Sequence, residues 1–233
     1  MLPGTLCDER LFARQARALE PATRVWRTDY RDLRGPSWCD ALLARLPARV
    51  ALVGFSLGGL WALELLRRAP ERVQGLALVA SNAEPGRRTV RRRSARLWRD
   101  WRRLGPESVV EAMQAQYFHH DRQRRRHAAL LRDMARRTPT PAARAQFDWA
   151  SCRPCGLQVL AASHVPLLVV SGARDRLCPR ALQRRVVQAR PDARWIELPR
   201  CGHFVPLEAH SALSRALQQW LHDTAPARTG APS

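Results

Sequence analysis

Val50-Ala51-Leu52-Val53-Gly54-Phe55-Ser56-Leu57-Gly58-Gly59 is the stretch whose reading decides the fold. The apolar run Val50–Phe55 has the character of a strand buried on both faces, and Leu57 to Ala69 continues as a helix that Pro70 stops. Between them stands Gly54-Phe55-Ser56-Leu57-Gly58. A serine hydroxyl is a poor nucleophile unless it is exposed, aligned and next to a base. A tight strand-to-helix turn exposes the oxygen, and glycines on both sides let neighbouring backbone pass close by. The turn also aims the amide of Leu57 at a developing oxyanion. A bare G-x-S-x-G is a weak pattern, and an ordinary small-residue turn is the plain alternative. The preceding strand and following helix favour the nucleophile.

Outward from this turn the pattern repeats. Val73 to Ala80 reads as another buried strand, and Ser37 to Leu46 as a helix with Ser37 at its N-cap. Arg24-Val25-Trp26 reads as a short strand. Further on, Leu167 to Ser171 is a strand, Pro179 to Ala189 a helix with proline in its first turn, and Arg194 to Leu198 a strand. Val205 to Leu221 closes as one helix. Alternating strands and helices with short links predict an α/β fold on a mostly parallel, doubly wound sheet.

A basic, strand-free segment separates the two blocks. Val90, Leu97, Trp98, Trp101 and Leu104 share one helical face, read as a packing face, and further helices follow to about Ala150. The expected organisation is residues 1–86 as the first part of the core, 87–151 as a helical cap, 152–222 as the second part, and 223–233 as a frayed tail.

Two more signals sit at strand ends. Ser171-Gly172-Ala173-Arg174-Asp175 follows a strand, and parallel sheets collect their sites at that rim. Arg200-Cys201-Gly202-His203-Phe204-Val205-Pro206-Leu207-Glu208 follows the last strand. The chain order Ser56, Asp175, His203 is the order an α/β-hydrolase turn requires, with Ser56 as nucleophile, His203 as general base and Asp175 orienting it.

These motifs resemble the α/β-hydrolase superfamily, specifically its compact, cap-bearing esterases and lactonases, over nearly the whole chain. Leu2-Pro3-Gly4-Thr5-Leu6-Cys7-Asp8 resembles that family's oxyanion loop. The resemblance implies an oxyanion hole made by the backbone N–H groups of Thr5 and Leu57. It also implies a strand just before this loop, where only Met1-Leu2 stand. The expectation is that this strand is missing, through a shortened start or an interior gap in the sheet that leaves backbone unpaired.

The expected activity is hydrolysis of a carboxylester, lactone or thioester through an acyl-enzyme. The alternatives are a lyase or perhydrolase on the same triad, or a non-catalytic relative that binds acidic partners. No cofactor and no metal are expected: Cys152-Arg-Pro-Cys155 is one knuckle where structural zinc needs two. The six cysteines read as free thiols, with Cys178 and Cys201 as small rim fillers.

The net charge of +20 comes from 40 basic residues, all arginine. No nucleic-acid motif accompanies it, so nucleic acid is not the expected partner. The cap arginines point instead to an anionic acyl group or to an acyl chain on an acidic carrier protein. Arg153 is a candidate carboxylate clamp and Phe204 a candidate substrate contact. Apolar runs too short for a membrane span, and no secretion signal, give a cytoplasmic expectation.

Overall fold

The computed structural model describes residues 1–224. Among them, β1 (Val50–Phe55), β2 (Val73–Val79), β3 (Leu167–Gly172) and β4 (Arg194–Leu198) form a four-stranded, all-parallel sheet in the order β1-β2-β3-β4. Val53 lies beside Ala77 in one register and Leu78 beside Val169 in the next.

Successive strand side chains point to opposite faces, and the core divides accordingly. Val53, Phe55, Ala77, Val79, Leu168 and Val170 belong to one cluster; Leu52, Leu76, Leu78, Leu167 and Val169 belong to the other. The first face is covered by α1 (Ala13–Leu19), by α11 (His210–Thr224) and by helices that follow β2. The second is covered by α2 (Trp38–Arg45), α3 (Leu57–Arg68), α8 (Gly156–Ala161) and α9 (Arg180–Ala189). Because α3 is covered nearly all round, it reads apolar on every face from Leu57 to Leu66, with Glu64 the exception.

Between β2 and β3 run α4 (Arg88–Leu104), α5 (Pro106–Tyr117), α6 (Asp121–Arg137) and α7 (Thr140–Cys152). Leu97 and Trp101 are buried as a packing face requires, whereas Leu104 is 72% exposed. Gly105 separates α4 from α5 at φ 86°, a value that favours glycine.

Three sequence expectations are corrected here. Arg24-Val25-Trp26 is not a strand: among the described residues it meets the Met1 amino group at Trp26 O, and the Met1 carbonyl accepts from Thr28 N–H two residues further on. Ser37 makes no capping bond, because its φ of −61° and ψ of −18° are helical rather than extended. The single closing helix is two, α10 (Val205–Glu208) and α11, since Ala209 leaves the helical region at φ −127° and ψ 38°.

The strand expected to be missing before the oxyanion loop is represented by one residue. Leu2 forms an isolated parallel bridge to Gly54, its N–H donating to Val53 O and its carbonyl accepting from Phe55 N–H. Below that bridge no strand among the described residues pairs with the outer edge of β1, and a groove of about 580 Å³ is lined by Val50 to Val53 there. The predicted frayed tail lies, from residue 225 on, outside the described residues.

Candidate active site

At the end of β1 the chain must reverse within one residue to enter α3. Ser56 takes the strain, at φ 52° and ψ −116°, a conformation side-chain-bearing residues rarely adopt. Close packing fixes the flanks. A Cβ on Gly58 would overlap the Leu2 carbonyl, and one on Gly54 would lie 2.5 Å from Gly58 O. The turn is anchored from β2 as well: Ser56 N–H donates to Val79 O at 2.9 Å, and Ser81 Oγ donates to Ser56 O at 2.7 Å.

Three loops converge at this rim. Ser56 Oγ lies 2.9 Å from His203 Nε2, and His203 Nδ1 lies 2.8 Å from Asp175 Oδ2. A carboxylate only accepts, so Nδ1 carries the proton toward Asp175 and Nε2 is left as acceptor for the Ser56 hydroxyl. Asp175 Oδ1 accepts the N–H groups of Leu177 and Cys178 at 2.8 and 2.9 Å. Burial alone would raise the Asp175 carboxyl, but the electrostatic attraction of His203, its hydrogen bond and the two backbone donors outweigh burial and hold it below the ordinary carboxylate range. His203 is 2% exposed and Asp175 5%.

His203 is also tied to the helices after β2. Its N–H donates to Tyr117 O at 2.8 Å. Glu208 accepts the N–H groups of Gly202 and His119 at 2.9 and 2.8 Å, joining the histidine loop to the α5–α6 link. Burial outweighs those donors and pushes the Glu208 carboxyl up.

The loop Pro3–Cys7 lies opposite. Tyr30 Oη donates to Pro3 O at 2.6 Å, and Leu6, at φ 57°, donates its N–H to Gln146 Oε1 at 2.7 Å. Thr5 and Leu57 both line the cavity over Ser56, and among the described residues neither backbone N–H has a protein acceptor. That cavity measures about 110 Å³. Leu97, Val109, Met113 and Phe147 make its apolar wall, and Phe204 packs into it against Phe55 and Tyr117.

Arg153 also borders the cavity, but as a buried residue whose donors reach Glu84 O at 2.8 Å, Ala150 O, and Asn82 Oδ1 at 3.3 Å. All six cysteines are unpaired. Cys178 is a buried neighbour of Asp175, its thiol pushed up to about 12, chiefly by burial. Asp175, Cys178 and His203 form the one cluster of metal-ligand type among the described residues. Both ring nitrogens of that cluster are already engaged, by Asp175 and Ser56.

Sequence reasoning did not single out Tyr30, Ser81, Gln146 or Glu208, which hold the loops in place. Tyr30, Ser81 and Gln146 stand in no motif and only long-range contacts mark them, whereas Glu208 ends the histidine stretch, where sequence reasoning reads no role for it. Among the described residues, no helix is long and apolar enough to cross a membrane.

A family model described as the alpha/beta hydrolase family matches residues 2–216. The pimeloyl-[acyl-carrier protein] methyl ester esterase of Aromatoleum aromaticum is 33% identical over 201 residues, covering 76% of each chain. The protein of the same name from Nitrosomonas europaea is 30% identical over 184 residues, 70% of this chain and 68% of that one. Among solved structures, a thermophilic esterase from Thermogutta terrifontis superposes with a TM-score of 0.85 at 24% identity, covering 97% of this chain and 91% of its own. The enol-lactonase from Burkholderia xenovorans LB400 does so at 0.83 and 25% identity, covering 95% and 89%.

Proposed function

The chain belongs to the alpha/beta hydrolase family, and from that premise we propose that it hydrolyses an ester-like bond through an acyl-enzyme on Ser56. The observation that carries this reading is the unbroken hydrogen-bonded series from Ser56 through His203 to Asp175, at 2.9 and 2.8 Å. In the first step Ser56 Oγ attacks the carbonyl carbon while His203 Nε2 takes its proton, and Asp175 stabilises the imidazolium that forms. The negative charge on the carbonyl oxygen falls to the N–H groups of Thr5 and Leu57, whose freedom from protein acceptors supports that role. Collapse expels the alcohol, which leaves with the proton from Nε2. Water then repeats the sequence on the acyl-enzyme and restores the serine.

Residues 87–151 serve as a cap, since α4, α5 and α7 supply the apolar wall above Ser56. This wall excludes water from the acyl chain and leaves the carbonyl at the rim. A carrier-borne methyl ester is one substrate class, supported by the names of the relatives and by exposed arginines on α4 and α6 that suit an acidic carrier.

The test is Ser56→Ala. The variant should lose hydrolysis of p-nitrophenyl butyrate by at least about a thousandfold and lose fluorophosphonate labelling altogether. Unchanged turnover by the pure variant would overturn the assignment.

A further inference from the structure

Burying a cation without a counter-charge is costly. Arg153 is 7% exposed, yet the atoms that accept from it are neutral: two backbone carbonyls and the Asn82 amide oxygen. The nearest acid, Glu84, has its carboxylate engaged by Arg87 and Arg185. Arg93 on α4 borders the same cavity, exposed and without a carboxylate partner among the described residues. Burial holds the Arg153 guanidinium below its ordinary range; Cys178 and Glu84 act the other way, while the Arg93 charge adds to the lowering, so the two cations oppose each other as they stand. An anion between them would relieve both, and the cavity they border also holds Ser56 and His203.

We propose that the preferred substrate is a half-ester of a short dicarboxylic acid, its free carboxylate held by Arg93 in front of the buried Arg153. The ester carbonyl then sits at Ser56, and a methylene spacer lies along Leu97, Val109, Met113 and Phe147. Arg93 makes the contact, because an exposed guanidinium can swing to offer two N–H donors. Arg153 supplies a fixed field, its donors being turned to two backbone carbonyls and to Asn82 Oδ1. The inference rests on the hydrolase reading of Ser56. It differs from a carrier-linked substrate, in which the second carboxyl is masked as a thioester.

The experiment compares monomethyl glutarate with methyl pentanoate, in which a methyl group replaces the carboxylate, by methanol release from the full chain. The half-ester should be favoured in kcat/KM by about tenfold or more, about 1.4 kcal/mol. The ratio between the two substrates is read within each variant, so a general loss of activity cancels. It should fall toward one in Arg93→Gln, recover in part in Arg93→Lys, and stay high in Arg99→Gln, which alters an exposed arginine of the same helix that does not line the cavity. A wild-type ratio of one or below, or a ratio that survives Arg93→Gln, overturns the inference. If a fluorophosphonate labels Ser56 and the ratio is one, this inference falls alone. If Ser56 is not labelled, the hydrolase reading falls and takes it along.

Discussion

Replacing Asp175 by asparagine tests the geometry of the site more sharply than removing the nucleophile, because it changes almost no volume. Asp175 makes three hydrogen bonds, accepting from Leu177 N–H and Cys178 N–H with Oδ1 and from His203 Nδ1 with Oδ2. An asparagine has one acceptor oxygen and one donor amide, so it must choose. With its NH2 toward the two backbone donors it loses both bonds and sets donor against donor, at about 1–3 kcal/mol for each buried group left unsatisfied. The cheaper orientation keeps the oxygen on Leu177 and Cys178 and turns the NH2 to His203. Nδ1 must then be the acceptor, the ring proton moves to Nε2, and Nε2–H now donates toward Ser56 Oγ instead of accepting from it. The base is present, in place and in the wrong tautomer. A kcat/KM loss of about 10³–10⁴-fold is expected, ~4–5.5 kcal/mol of transition-state stabilisation. Steady-state hydrolysis of p-nitrophenyl butyrate measures it, with circular dichroism and thermal melting to show that the fold persists. A folded Asp175→Asn enzyme within tenfold of wild type would refute the reasoning, since it would mean that the tautomer of His203 does not govern the rate.

Two further substitutions probe what surrounds the site. Gln146→Leu leaves the buried Leu6 N–H without its acceptor and loosens the loop that carries Thr5; kcat on the same ester should fall about tenfold, and an unchanged kcat would show that this hydrogen bond does not position the loop. Trp61, fully buried, stacked on Trp149 at 4.2 Å and set edge-on to Trp38 at 5.5 Å, should cost about 3–5 kcal/mol on Trp61→Ala. Trp61→Phe should cost clearly less, because the indole N–H has no partner to lose. Urea denaturation measures both, and equal losses would count against the packing argument.

Arginine composition shows how burial can hide from sequence. With 40 basic residues and no lysine, any one arginine looks like a solvated surface residue. Arg153 and Arg190 are nevertheless buried, and Arg93 is exposed but faces the cavity. Nothing in their neighbours along the chain separates these from Arg92 or Arg99, which do neither. On the substrate inference above, the clamp role expected of Arg153 from its position before the second core block is shared with Arg93, on a helix 60 residues earlier (153 − 93).

What the sequence determined by itself was local. An apolar run that suits a strand covered on both faces, glycines on either side of a serine, and a proline that stops a helix are settled by near neighbours, so β1, α3, β2, β3 and β4 were legible within a residue or two. The order of the serine, the acid and the histidine along the chain was equally plain. Tertiary structure decided everything that depends on which distant segment lies alongside. Residues 24–26 form no strand, Met1 reaching them at Trp26 O alone, the closing helix breaks where Glu208 turns back to Gly202 and His119, and α8 forms against α3 and α9 from a stretch with no strong period. The hydrogen bonds of Tyr30 and Gln146 to the first loop, and the pairing of two cations across one cavity, arise from chain segments that meet only when the sheet and its covering helices are assembled. Periodicity reports the face a residue turns to its own element; it carries no information about what the opposing element brings.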